Sequence, residues 1–129
     1  MSQLYPIIIT ILSILLYMFV TFKVGMARGK YKIDAPATTG NQDFERYYRV
    51  QMNTLEQLVA FLPSLWIFSI LWNHNIIVLF AGVIWIIGRI LYARGYYEAA
   101  NKRTAGFIIS LFTTAFLLLG SIVGVIKML

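Results

Sequence analysis

Residues 49–66 read RVQMNTLEQLVAFLPSLW. The second half of this stretch is apolar enough to lie in a bilayer, whereas the first half carries Arg49, Asn53 and Glu56. Their spacing is i, i+4, i+7, so on a helix the three side chains form one stripe, stacked turn upon turn. Ionisable groups at membrane depth are expensive and usually mark a site, which makes this stripe the strongest pointer to function in the chain. Arg46 falls on the same broad face one turn earlier, and Pro63 is expected to kink the helix in its apolar half.

Working outward, the composition supports a membrane setting. Of 129 residues, 60% are hydrophobic and only 12% are charged, against roughly 25% charged in soluble domains. Four apolar runs cover residues 5–26, 44–72, 76–97 and 104–129. About 20 residues cross the ~30 Å hydrocarbon layer, so each run suffices. The expected fold is an all-α integral membrane protein, a single domain over residues 1–129 with four transmembrane helices. The first run has no basic segment before it and exceeds the apolar core of a leader peptide, so it reads as a retained span. Residues 27–43, ARGKYKIDAPATTGNQD, read as the longest connection, WNHN as a short turn, and GYYEAANKR as a short, partly helical connection.

Charge sets the expected orientation. Ten of the eleven basic residues lie at or near the first and third connections; Lys127 alone lies opposite. The positive-inside rule puts the basic end in the cytoplasm and both termini across the membrane. This asymmetry accounts for most of the net charge of +6, so nucleic-acid binding is not needed to explain it. There is no cysteine, which excludes disulfides, thiolate metal sites and a cysteine nucleophile. A thiol, if one reacts here, arrives with a substrate. The single histidine, His74, sits in the WNHN turn and cannot build a multi-histidine metal site, so no metal is expected. No glycine-rich phosphate loop occurs.

The third run carries a second polar stripe, Arg89, Tyr92 and Tyr96, with Arg94 and Arg103 near its basic end and Arg28 at the end of the first run. If the helices bundle with these faces inward, several cations, one or two carboxylates and two phenols surround one pocket. Arginine forks bind carboxylates bidentately, a glutamate takes an ammonium, and an asparagine both donates and accepts. A zwitterionic peptide with an extra carboxylate fits this set, and a cation beside a thiol favours the reactive thiolate. The structural alternative stays open at this point: Arg49 and Glu56 as an ion pair locking two helices, Arg89 as a partner for a carboxylate, and Tyr92 and Tyr96 as aromatic residues of the membrane interface. Likewise Gly82, Gly88, Gly120 and Gly124 are either close helix contacts or simply the glycines common in membrane helices.

The pattern TTG..DFERYYRVQMNTLEQLVAFLPSLW together with RILYARGYYEAANKR resembles the MAPEG family, the membrane-associated proteins in eicosanoid and glutathione metabolism. The FERxYRxQxN form is similar to the branch of microsomal glutathione transferase 2 and leukotriene C4 synthase, and the short tail suits a bacterial member. The resemblance implies a homotrimer of four-helix protomers with glutathione, a co-substrate, bound between neighbours. By motif position it implies that Arg28, Arg49, Gln51, Asn53, Glu56, Tyr92 and Tyr96 bind glutathione, Gln51 serving a neighbouring subunit, and that Arg103 stabilises the thiolate. The implied activity is a membrane-bound glutathione transferase acting in detoxification on hydrophobic electrophiles from the bilayer, with a peroxidase side activity toward lipid hydroperoxides. Two departures stand out. Gln57 replaces a tyrosine of the leukotriene branch, and Gly29 replaces a second arginine, which speaks against leukotriene synthesis. The alternatives are a non-catalytic lipid-binding scaffold of the same family and a small multidrug transporter coupled through Glu56.

Overall fold

A computed structural model describes residues 3–73 and 75–129, the side chain of Asn75 excepted; His74 lies outside the described residues. Four helices follow one another: α1 (Leu4–Tyr31), α2 (Gln42–Trp72), α3 (Asn75–Glu98) and α4 (Thr104–Met128). A 3-10 turn, Ala100–Arg103, leads into α4. All four helices are long and apolar enough to cross a membrane, and the chain is an integral, multi-pass membrane protein.

The helix ends follow local chemistry. Asn41 caps α2 by accepting the Phe44 N–H at 3.0 Å, and Asp43 and Glu45 occupy the first turn, where carboxylates meet the positive end of the helix dipole. α1 runs five residues beyond the apolar stretch visible in the sequence, to Tyr31. Arg28 and Lys30 lie in its last turn, where cations favour helix, so loss of hydrophobicity marks the edge of the membrane and not the end of the helix. Lys32, in the left-handed conformation at φ 57°, closes it and returns its N–H to the Arg28 carbonyl. The connection expected over residues 27–43 is therefore shortened to residues 32–41. Pro63 lies within α2, which continues to Trp72.

α2 and α3 form the centre of the bundle, each packing on all three other helices, with α1 and α4 flanking them. The mid-bundle core joins Ile9, Leu58, Phe61, Leu65, Trp85 and Leu117. The Phe61 and Trp85 rings stack at 4.1 Å and 4°. Toward the basic end, Val20 and Val50 pack with Tyr92 and Ala93. The outward faces are apolar too: Phe22, Phe80 and Phe112 are 61–69% exposed, which suits contact with lipid or with an apolar protein surface. Several buried hydroxyls bond within their own helix, as Ser64 does to the Ala60 carbonyl and Ser121 to that of Leu117.

The closest helix pair is α3 with α4, and glycine makes it possible. A Cβ on Gly106 would stand 2.2 Å from the Tyr92 amide nitrogen and 2.5 Å from the Gly88 carbonyl oxygen. The obstacles are backbone, which cannot step aside. Gly82 and Gly120 also face neighbouring side chains, Ile9 and Phe68, at 2.5–2.6 Å, so of the two sequence readings the packing one holds for them. Gly106→Ala is expected to lower the thermal midpoint in detergent by an amount equivalent to about 1–3 kcal/mol or more. Gly29→Ala, with nothing within 4 Å of its Cβ, should be neutral or raise stability by about 0.5–1 kcal/mol through helix propensity.

Candidate functional site

At the basic end, a cleft of ≈ 430 Å³ opens between α2, α3 and the start of α4, within the ~300–1,000 Å³ of small-ligand sites. Arg49 and Asn53 line it from α2, Tyr92 and Tyr96 from α3, and Arg103, Thr104 and Phe107 from the last connection and α4. The polar stripe of α2 thus faces the aromatic stripe of α3, with a guanidinium at the mouth and a phenyl ring on one wall.

Beneath the cleft lies Arg89, only 1% exposed. Its Nη2 donates to Asn53 Oδ1 at 2.8 Å and to Thr54 Oγ1 at 3.1 Å, and Nη1 donates to Ser110 Oγ at 3.2 Å. The guanidinium carbon stands 4.1 Å from the centre of the Tyr92 ring, a cation–π contact. The arginine has only donors, so the Asn53 amide oxygen must face it, and the amide nitrogen is left for the cleft. Tyr92 is fixed too, 2% exposed and edge-on to Tyr96 at 5.5 Å. The carboxylate partner considered for Arg89 from sequence is replaced by three neutral oxygens.

Arg103 is exposed and reaches over the Tyr96 ring at 5.4 Å, and its Nη1 donates to the Ala100 carbonyl at 2.7 Å. It lies in the first turn of the continuous helical run Ala100–Met128. A cation there opposes the helix dipole. Its neighbour Lys102 is paired with Glu98 at 3.0 Å, whereas Arg103 has no acidic partner among the described residues. An anion in the cleft would relieve both the charge and the dipole.

The remaining residues singled out from sequence lie elsewhere. Glu56 does not line the cleft; its Oε1 faces Arg49 Nη2 at 3.4 Å, and both side chains are about half exposed (56% and 46%). Gln51 projects toward α1, donating to Thr21 Oγ1 at 3.2 Å. Arg28 donates to the carbonyls of Ala37 at 2.8 Å and Ile33 at 3.3 Å and covers the Phe44 ring, which braces the α1–α2 connection. Arg46 is held by Asp43 and by the Tyr97 carbonyl. Within the chain the set therefore divides: Arg49, Asn53, Tyr92, Tyr96 and Arg103 share the cleft, while Arg28 and Gln51 sit on the α1 side. Thr104 and Phe107 were not anticipated as lining residues; no charge or motif distinguishes them in a run of apolar and small residues.

Comparison with known proteins finds relatives over most of the chain. The family model described as MAPEG family matches residues 6–123. The chain is 48% identical to an uncharacterized protein of Synechocystis, over 95% of this chain and 89% of that one. It is 40% identical to microsomal glutathione S-transferase 2 of Homo sapiens, over 91% of this chain and 79% of that protein. With leukotriene C4 synthase of Bos taurus it shares 34% identity, over 75% of this chain and 64% of that protein.

The two polar pairs of the stripe differ in what they hold. Asn53→Ala strips a buried guanidinium of an acceptor and should cost about 1–3 kcal/mol in thermal or denaturant unfolding. Glu56→Ala breaks a long, half-exposed pair and should cost about 0.5 kcal/mol or less.

Proposed function

The chain belongs to the MAPEG family, and from that membership and the cleft we propose that it is a membrane-bound glutathione transferase conjugating the thiol of glutathione to hydrophobic electrophiles. The observation that carries this reading is the convergence of Arg49, Asn53, Tyr92, Tyr96 and Arg103 on one cleft at the basic end of the bundle. Arg49 offers a fork for a glutathione carboxylate, and the Asn53 amide nitrogen offers a donor. Arg103 holds the sulfur as thiolate, its guanidinium having no acidic partner among the described residues. The thiolate attacks the electrophilic carbon, a C–S bond forms, and the leaving group departs with its bonding pair; the thiol proton passes to water.

Phe107 and the outward apolar faces of α3 and α4 suit an electrophile arriving from the bilayer, while the basic end faces the cytoplasm and the termini the other side. With a lipid hydroperoxide, the thiolate takes the terminal oxygen, releasing the lipid alcohol. A second glutathione then displaces water to give the disulfide, since the protein has no cysteine of its own.

The division of the site residues supports a trimer with glutathione between neighbours. Arg28 and Gln51, turned away from their own cleft, are the groups a neighbouring protomer's cleft lacks, and Glu56 stands half exposed beside Arg49. Gly29 leaves the α1 surface there open, consistent with a substrate range other than leukotriene synthesis.

In detergent the purified protein is expected to conjugate glutathione to chlorodinitrobenzene. Arg103→Ala should lower kcat roughly 100-fold while changing glutathione affinity only a few-fold; unchanged turnover would remove Arg103 from the role. Calorimetry that detects no glutathione binding would move the chain to the lipid-binding scaffold reading. Mixed oligomers of Arg103→Ala and Arg28→Ala chains, each impaired alone, should regain activity, because one kind of interface then pairs an intact cleft with an intact Arg28. No recovery would place both residues in one protomer's site.

A further inference from the structure

Arg89 is a charge without a counter-ion. It lies nine residues from the basic end of α3, ~14 Å along the axis at 1.5 Å per residue, and so well inside the bilayer. Its acceptors, Asn53, Thr54 and Ser110, are all neutral, its Nε has no partner, and no carboxylate pairs with it among the described residues. A bare cation at such depth costs several kcal/mol. Tying three helices together does not require it, since a neutral donor could bridge the same oxygens. Two of the guanidinium's contacts, Asn53 and Tyr92, line the cleft.

We infer that Arg89 makes the cleft an anion site from beneath: it is a positioning residue whose uncompensated charge acts through Asn53 and Tyr92 on whatever anionic group occupies the cleft. It turns the Asn53 amide nitrogen outward and fixes the Tyr92 ring, and its field, little screened in the bundle, adds to those of Arg49 and Arg103 at the mouth. A bound anion completes the charge balance that the protein leaves open. The inference rests on the glutathione reading only for the identity of the anion.

Thr54 supplies the test, because it touches Arg89 at 3.1 Å, is buried, and does not line the cleft. Thr54→Asp presents Arg89 with a carboxylate inside the protein; Thr54→Asn presents a neutral acceptor of similar size. Thr54→Asp should unfold at a higher temperature than Thr54→Asn, since it pairs an unpaired buried charge. Yet it should bind glutathione about tenfold or more weakly, while Thr54→Asn stays within about twofold of the parent. Equal affinities for the two variants, or a lower midpoint for Thr54→Asp, would overturn the inference. Sodium sulfate serves as a charge-only probe, read as a saturable rise in unfolding temperature. If the parent ignores glutathione but responds saturably to sulfate, and Thr54→Asp abolishes that response, the transferase reading fails and the role of Arg89 stands. If the parent responds to neither, Arg89 has no anion to act on and the inference falls as well.

Discussion

The contacts of Arg89 hold α2, α3 and α4 in one arrangement. Its guanidinium reaches two residues of α2 and one of α4 from a position on α3, and the same side chain supports the ring of Tyr92. In water such hydrogen bonds would compete with solvent; in the interior of a membrane bundle there is no competing donor or acceptor, so each acceptor is needed. Ser110 illustrates the constraint. Its hydroxyl accepts from Arg89 and donates to the carbonyl of Gly106, the same glycine that lets α4 approach the α3 backbone. The polar hub and the close contact are thus one construction, and the cleft is the space left on its open side.

Much of this was legible in the sequence because it depends on periodicity and hydrophobicity. The four spans follow from run length, and the facing of the Arg49–Asn53 stripe toward Tyr92 and Tyr96 follows from helical spacing. What could not be read depends on backbone acceptors and on depth. Arg28 resembles any basic residue at a helix end, and nothing in the residue order announces that two loop carbonyls will hold it. Glu56 shares the helical stripe of Asn53 yet ends outside the cleft, since the stripe is two turns long and the cleft wall shorter. Arg89 was visible as a lone cation in IWIIGRILY, but a neutral set of partners cannot be distinguished from a carboxylate without the fold.

The α1–α2 pair behaves differently from the rest. α1 leans on α2 and α3 through small and branched residues such as Ile9, Val20, Val24 and Ala27, and much of its surface faces outward. Its polar links, from Trp66 to Thr10 and from Gln51 to Thr21, are single bonds between neutral groups. Arg28 and the braced connection close this half of the molecule at the basic end, while the cleft occupies the other half. The chain therefore presents two chemically distinct flanks, one recessed and cationic, the other built on α1.

Where α3 meets α4, backbone rests on backbone at Gly106 and, nearer the end, at Gly95 against the Lys102 carbonyl. The spacing of those helices is set by main-chain atoms, which substitution at positions other than these glycines does not alter. Side chains such as Ile84, Leu91, Ile108 and Leu111, all facing outward, carry none of that burden. They can be exchanged for other apolar groups without moving the helices, so the outer skin of this helix pair is adjustable while the polar machinery behind it stays in register.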